Sequence, residues 1–166
     1  DIKSRVSLCL PFGARLATTT LENGFFALAG GGFCPAQHLV PIDSHVPDFV
    51  SVIERFVGIP YLWGGNSSFG MDCSGALQLG LQAAGLICPR DSDMQAAELG
   101  RLIAPDAPTQ RGDLMFWKGH VGVLWDPETL LHANAHHMAV TVEPLKPAIK
   151  RIKAKGGGPV TAIKRL

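Results

Sequence analysis

A cysteine at the start of a predicted helix is the feature that most constrains this chain. Residues 60–65 read PYLWGG, and residues 72–75, seven positions further on, read DCSG. Apolar spacing predicts a helix over residues 73–84, and Asp72 is well placed to cap its first turn. Cys73 therefore lies at a helix N-terminus behind a glycine-containing loop. We expect this position, together with a nearby imidazolium, to lower the pKa of the thiol, as in a cysteine nucleophile.

Two histidines on later strand-like segments complete a possible catalytic set. A cysteine nucleophile, a histidine base and a polar residue that orients the base are the parts of an acyl-transfer enzyme. His120 and His132 must then face the same side of a sheet. If Trp125 pairs with Thr129 around a three-residue loop, His132 lies opposite Gly122 and both histidines share a face. A two-residue loop would turn one of them away.

Two alternative interpretations apply to these residues. Cys73 could be an inert buried cysteine, since free cysteines are commonly buried, but its polar neighbours disfavour this reading. Cys73, His120 and His132 could also hold a catalytic zinc ion with water as the fourth ligand. We favour the nucleophile because the chain has no helical HxxxH pair and the cysteine opens a helix, so neither a metal nor another cofactor is predicted. His136 and His137 are predicted to be a solvated loop pair.

The order of predicted elements indicates an α+β protein with two domains, residues 1–43 and 44–166. The first domain is predicted to be a small β unit, with strands at 6–10, 15–20, 25–29 and 38–42 and a hairpin turn at Asn23-Gly24. The second domain is predicted to combine helices with an antiparallel sheet. Its predicted helices cover 48–56, 73–84 and 93–100, and its predicted strands cover 113–117, 120–125, 130–133, 139–143 and 159–164.

The composition excludes several classes of function. Fifteen basic and fourteen acidic residues give a net charge of +1, which calls for no nucleic-acid or membrane partner. No apolar run approaches the length of a transmembrane helix. Four cysteines without a CxxC motif do not form a disulfide scaffold and favour a cytoplasmic over a secreted or periplasmic location. Because the chain begins at Asp1, we expect a fragment or processed form, and the lack of a signal peptide carries no conclusion. The oligomeric state is not predicted.

Six short motifs in this order resemble the NlpC/P60 family of papain-like cysteine peptidases. The resemblance runs over about residues 49–143 and implies that Cys73 is the nucleophile, His120 the general base and acid, and His132 the residue that orients His120. The motifs are PYLWGG (60–65), DCSG (72–75), RDS with Gln95 (90–95), GDL (112–114), GHVG (119–122) and LHA (131–133).

The same resemblance implies a substrate and a second domain. The family cuts cell-wall peptides, usually at γ-D-glutamyl bonds to a diamino acid. Members that trim free murein peptides carry an N-terminal bacterial SH3-like domain, and residues 5–42 resemble the end of one. Those members bind a free L-Ala amine, which here implies Tyr61, Asp72 and Ser74. The β unit departs from the pattern because it is shorter than a whole SH3-like domain and shows no clear counterpart of the acidic residue that often completes the amine site.

These observations predict a peptidase that hydrolyses γ-D-glutamyl–diamino acid amides in peptidoglycan peptides through a thioester. Two other functions stay open at this point. One is an inactive wall-peptide-binding module, which the presence of Cys73, His120 and His132 disfavours. The other is a thiol-dependent amidase or acyltransferase with another substrate. Residues 146–155 carry five basic residues and no acidic one, and we interpret them as a solvated strand or helix edge in preference to a site for anionic wall polymers.

Overall fold

The computed structural model describes residues 3–104 and 106–166, which form two compact units divided between His45 and Val46. All four cysteines are free. Within the described residues, no helix has the length and apolar character needed to cross a membrane.

The first unit contains a three-stranded antiparallel sheet. Strands β1 (Thr18–Glu22), β2 (Phe25–Leu28) and β3 (Phe33–Pro35) pair in that order, and a single 3₁₀ turn, Ala36–His38, follows. Asn23 and Gly24 join β1 to β2 with φ angles of 51° and 80°. Positive φ at both positions is the signature of a type I′ turn, which confirms the predicted hairpin.

Two predicted strands in this unit are wrong. Residues 6–10, all of which the structure describes, form no strand, and Val6 and Leu8 are 79% and 71% exposed. Residues 36–38 form the 3₁₀ turn and residues 39–42 pair with no strand in the described part of the chain. Apolar alternation alone does not make a strand, which also needs a neighbouring strand to accept and donate its backbone hydrogen bonds. The assignment of this unit as an SH3-like domain stays a prediction.

The second unit begins with helices and short strands. Helices α1 (Phe49–Glu54), α2 (Cys73–Ala83) and α3 (Ser92–Glu98) confirm the three predicted helices, while the short strands β4 (Asn66–Ser67), β5 (Gly70–Met71) and β6 (Arg101–Leu102) were not predicted. The carboxylate of Asp72 accepts a hydrogen bond from the backbone N–H of Gly75 at 2.7 Å and so caps α2 as expected. Gly85, with φ of 77°, follows the end of α2.

A six-stranded antiparallel sheet follows. Strands β7 (Leu114–Trp117), β8 (His120–Asp126), β9 (Thr129–Asn134) and β10 (Ala139–Pro144) are successive neighbours. After helix α4 (Leu145–Ile152) and a π-helical turn (Lys153–Gly157), strand β11 (Ala162–Arg165) pairs with β7, and β6 pairs with β11. The predicted strands of this sheet are confirmed. Helix α4 overlaps the basic segment 146–155, which was predicted only as a strand or helix edge.

Helices cover both faces of this sheet. Successive residues of a strand point to opposite faces, so the apolar run of β7 is buried throughout. On one face α1 and α2 supply Val50, Ile53, Leu77 and Leu81 to a core shared with Leu114, Phe116, Val121 and Leu131. On the other face α4 supplies Leu145 and Ala148 to a core shared with Met115, Trp117, Leu124 and Leu130.

Gly80 lets α1 and α2 approach closely. A Cβ atom there would lie 2.6 Å from Cγ1 of Ile53 and 3.1 Å from the carbonyl oxygen of Phe49. We expect Gly80→Ala to lower the free energy of unfolding by about 1 to 2 kcal/mol, since overpacking outweighs the gain in helix propensity. Urea denaturation measures this change. Gln82→Ala, at an exposed position of the same helix, is the control, and an unchanged or raised stability of Gly80→Ala would contradict the packing.

Candidate active site

Asp72 joins the glycine-containing loop to the first turn of α2. Its Oδ2 accepts a hydrogen bond from the N–H of Gly64 at 2.9 Å, and its Oδ1 accepts from the hydroxyl of Ser74 at 3.2 Å as well as from Gly75. The loop and the helix approach closely, because a Cβ atom on Gly75 would lie 2.5 Å from the carbonyl oxygen of Gly65. Small residues at these positions therefore let the loop hold Cys73 at the helix start.

Arg90 is a residue of this cluster whose role the sequence did not indicate. Its Nη1 and Nη2 donate to the two carboxylate oxygens of Asp72 at 2.9 and 2.7 Å, and Nη1 also donates to the hydroxyl of Ser74 at 2.9 Å. Asp72 thus accepts five hydrogen bonds and pairs with a guanidinium group. The only available signal was that Arg90 belongs to one of the motifs.

The residues predicted to bind an amine lie around this cluster. Ser74 is buried and bonded to Asp72 and Arg90, while Tyr61 is partly exposed. Burial raises the pKa of Tyr61, and the negative charges of Cys73 and Asp72 raise this pKa further. An ammonium group would have to compete with Arg90 for Asp72, so the amine site stays a prediction.

The thiol of Cys73 is harder to ionise than expected. Burial raises its pKa, the N–H of Val121 lowers it, the charge of Asp72 raises it, and the N–H groups of Ser74 and Cys73 lower it; the net shift is upward. The expectation of a lowered pKa is therefore wrong, because loss of hydration outweighs the donors at the helix N-terminus. These contacts also place the sulfur beside Val121, the residue that follows His120.

A β-bulge sets the pairing of the two strands that carry the histidines. Asp126 pairs with Thr129 around a two-residue loop, and Trp125 is an extra residue before Leu124 pairs with Leu130. The predicted three-residue loop is wrong, yet the bulge restores the register that a regular two-residue loop would have shifted.

Glycine and histidine consequently lie opposite each other as predicted. A Cβ atom on Gly122 would lie 3.2 Å from Cβ of His132, which confirms that these two positions face each other. His120 lies on the same face, because its Nε2 is 2.7 Å from Nδ1 of His132. The structure therefore brings the two predicted histidines together through one hydrogen bond.

Glu143 and Arg151 extend this arrangement, and sequence analysis missed both. Nε2 of His132 lies 2.7 Å from Oε1 of Glu143. Arg151 of α4 donates to both oxygens of Glu143, with Nη1 at 3.1 Å from Oε2. Thr141 is the direct partner of His132 on β10, and Glu143 is two residues further along the same face, within diagonal reach. That alternation is the signal that could have indicated Glu143.

The charges of these groups determine where the protons lie. Burial alone would raise the pKa of Glu143, but the hydrogen bond with His132 and the charge of Arg151 lower it to about 2. Burial lowers the pKa of His132, and burial together with His132 and Arg151 lowers the pKa of His120 to about 3. Near neutral pH, Glu143 is therefore a carboxylate and both imidazoles are neutral.

One pattern of hydrogen bonds follows. A carboxylate only accepts, so Nε2 of His132 carries a proton and donates it to Glu143. Nδ1 of His132 then accepts from the protonated Nε2 of His120. Nδ1 of His120 is left with a free lone pair, and it is the basic nitrogen of the pair.

This arrangement does not favour the zinc alternative. Both ring nitrogens of His132 already take part in hydrogen bonds. Across residues 3–104 and 106–166, no three His, Cys, Asp or Glu side chains are grouped so as to hold a metal ion. The assignment of Cys73 as nucleophile and His120 as base stays a prediction.

Comparisons with known proteins agree with this fold. The chain is 34% identical over 138 residues to the gamma-D-glutamyl-L-lysine dipeptidyl-peptidase of Bacillus subtilis, an alignment that covers 75% of this chain and 46% of that protein. The peptidoglycan hydrolase RipB of Mycobacterium tuberculosis has a TM-score of 0.58 at 29% identity, covering 70% of this chain and 62% of RipB. An NlpC/P60 family protein from Bacillus cereus superposes with a TM-score of 0.69, covering 94% of this chain and 55% of that protein's chain. At 24% identity, this likeness supports the fold alone.

The chain spans less than half the length of the first curated relatives it matches, 46%, 36% and 40% in turn. Residues 58–153 match the NlpC/P60 family. That range is more than half of the chain and includes Cys73, His120, His132 and Glu143. The mixed α+β unit with its antiparallel sheet has the fold of NlpC/P60 structures, and the chain belongs to the NlpC/P60 family.

Proposed function

We propose that this chain is a cysteine peptidase that hydrolyses the amide between γ-D-glutamate and a diamino acid in peptidoglycan peptides. The observation that carries the proposal is the hydrogen-bonded series from His120 through His132 to Glu143, next to a strand residue whose N–H contacts the sulfur of Cys73. The name of the Bacillus subtilis relative supports the choice of bond.

The reaction follows from the position of the free lone pair. Nδ1 of His120 takes the proton of Cys73, and the thiolate attacks the carbonyl carbon of the γ-D-glutamyl group. Backbone N–H groups at the start of α2 stabilise the oxyanion of the tetrahedral intermediate. The C–N bond then breaks, His120 returns its proton to the leaving amine, and a thioester remains. Water, deprotonated by His120, hydrolyses this thioester and regenerates the thiol.

His132 and Glu143 act in this scheme by positioning His120. The carboxylate of Glu143 keeps the proton of His132 on Nε2, and His132 keeps the proton of His120 on Nε2. When His120 becomes an imidazolium during the reaction, the same carboxylate offsets its positive charge. We also propose that Tyr61, Asp72 and Ser74 recognise the free amine of the substrate, with Arg90 holding Asp72 in place.

Removal of the nucleophile tests the proposal directly. We expect Cys73→Ala to lower kcat/KM for L-Ala-γ-D-Glu-L-Lys by at least about a thousandfold, since no other group replaces the thiol. Mass spectrometry of the cleaved peptide in reducing buffer measures the loss.

The exposed cysteine of the first unit provides the control, and Cys9→Ser should keep full activity. Retained cleavage by Cys73→Ala, with circular dichroism unchanged, would exclude the thiol mechanism. A peptide with an acetylated amine tests the amine site separately: cleavage at the unmodified rate would remove Tyr61, Asp72 and Ser74 from recognition without affecting the catalytic assignment.

The positioning role of Glu143 predicts a difference between two variants. Glu143→Leu removes the acceptor for Nε2 of His132 and should lower kcat by about tenfold or more, with KM little changed. Glu143→Gln keeps an oxygen acceptor and should recover most of this loss. Equal losses in the two variants, measured at matched stability, would show that Glu143 serves only the fold.

The pKa shifts predict a broad pH optimum. The resting pair is a protonated thiol beside a neutral imidazole, so activity is lost when His120 becomes an imidazolium beside the thiol and when Cys73 becomes a thiolate beside neutral His120. Because the pKa of His120 is lowered and that of Cys73 is raised, kcat/KM should stay level beyond the range of about 6.5 to 8.5 set by unperturbed groups. A pH profile with an acid limb above about 6.5 would contradict the neutral resting pair.

A further inference from the structure

A cavity borders the histidines on the side of α4. Its volume is about 200 Å³. Its polar and charged lining comes from three places. These are the start of β8, the end of β9 with the turn after it, and α4 with the π-helical turn. These places supply His120, Asn134, His136, Arg151, Lys155 and Gly157. None of the residues lining this cavity is acidic.

Asn134 contributes a buried donor with no partner. Its side chain is 7% exposed, and its Oδ1 accepts a hydrogen bond from the N–H of His137 at 2.9 Å. This bond identifies the other amide atom as Nδ2, which has no hydrogen-bond partner among the described residues. Buried donors are almost always satisfied in folded proteins, so an unpaired one at a cavity indicates a missing acceptor.

Lys155 contributes a positive charge without a counter-ion. Arg151 is paired with Glu143, whereas the ammonium group of Lys155 lies 3.1 Å from the ring nitrogen Nδ1 of His136. Within the part of the chain that the structure describes, Lys155 forms no salt bridge. The lining therefore combines one unbalanced cation with one unpaired donor.

The π-helical turn brings Lys155 to this place. α4 does not end in a regular cap but widens into the turn Lys153–Gly157, where Gly156 has φ of 89°. A Cβ atom on Gly157 would lie 2.6 Å from Cγ2 of Ile152, so the turn closes against the end of α4 only with glycine there. Such widened turns are frequent at functional sites.

We infer that this cavity binds a carboxylate of the fragment that leaves in the proposed reaction. A carboxylate has two oxygens, one for the amide of Asn134 and one for the ammonium group of Lys155. The inference rests on the proposed function for the identity of the fragment. His120 borders the cavity and gives its proton to the leaving amine, while Tyr61, Asp72 and Ser74 do not line it.

Two carboxylates of a diamino acid could supply this group, and three peptides separate them. L-Ala-γ-D-Glu-diaminopimelate has a side-chain and a C-terminal carboxylate on its last residue. On its last residue, L-Ala-γ-D-Glu-L-Lys has the C-terminal carboxylate alone and the corresponding lysine amide has none, while the α-carboxylate of D-Glu is common to all three peptides. Calorimetry on Cys73→Ala gives the affinity of each peptide without turnover.

Adding Lys155→Met to this background should weaken binding about tenfold wherever the bound carboxylate is present, the size of one charge-assisted hydrogen bond. Weaker binding of the diaminopimelate peptide alone identifies the side-chain carboxylate as the bound group. Weaker binding of both the diaminopimelate and the lysine peptide, but not of the amide, identifies the C-terminal carboxylate. Asn134→Asp, which keeps the acceptor for His137, should act in the same direction. Lys150→Met, an exposed position of α4 outside the lining, is the control and should change nothing.

Equal weakening of all three peptides, no weakening, or no measurable binding of any peptide would overturn the inference. Turnover by the unmodified protein is measured separately on the same peptides. Carboxylate-dependent binding without turnover would contradict the proposed peptidase function but support the carboxylate site. Turnover with carboxylate-independent binding would support the peptidase function but overturn the carboxylate site.

Discussion

The register between β8 and β9 is the constraint on which the proposed chemistry depends. A shift of one residue would send His120 or His132 to the opposite face of the sheet and break the hydrogen bond between them. The loop between β8 and β9 has two residues, and the extra residue Trp125 forms a bulge that keeps Gly122 opposite His132. Gly122 then gives the ring of His132 its space, and the third strand, β10, presents Glu143 to the same ring. Proton placement at His120 is thus a product of strand pairing across three strands.

Asp72 positions Cys73 as the strand register positions the two histidines. A single carboxylate caps α2, binds the loop through Gly64 and pairs with Arg90. Buried charges are costly unless they are paired and fully hydrogen-bonded, and Asp72 meets both conditions. The same carboxylate adds to the negative potential around Cys73, which, together with burial, keeps the thiol protonated at rest. The interactions that hold Cys73 at the start of α2 therefore include one, with the carboxylate of Asp72, that raises the pKa of its thiol.

Local signals predicted the parts of the fold that depend on neighbouring residues in sequence. The cap at Asp72, the helix after it, the turn at Asn23-Gly24 and the alternating strands all follow from short-range preferences. Features that depend on distant partners were missed. Residues 6–10 pair with no strand in the described part of the chain, and the bulge at Trp125 appears only in the pairing of β8 with β9. Likewise Arg90, Glu143 and Arg151 gain their roles only through groups far away in sequence, and the pKa of Cys73 follows burial, which a motif does not show.

The order of these groups along the chain has a consequence for synthesis. Cys73, His120 and His132 all precede Glu143 and Arg151, and α4 both carries Arg151 and covers the second face of the sheet. A nascent chain that has emerged only as far as β9 holds the thiol and both imidazoles but lacks the carboxylate that directs their protons. The proposed site is thus complete only once β10 and α4 have been synthesised, because these two elements carry Glu143 and Arg151.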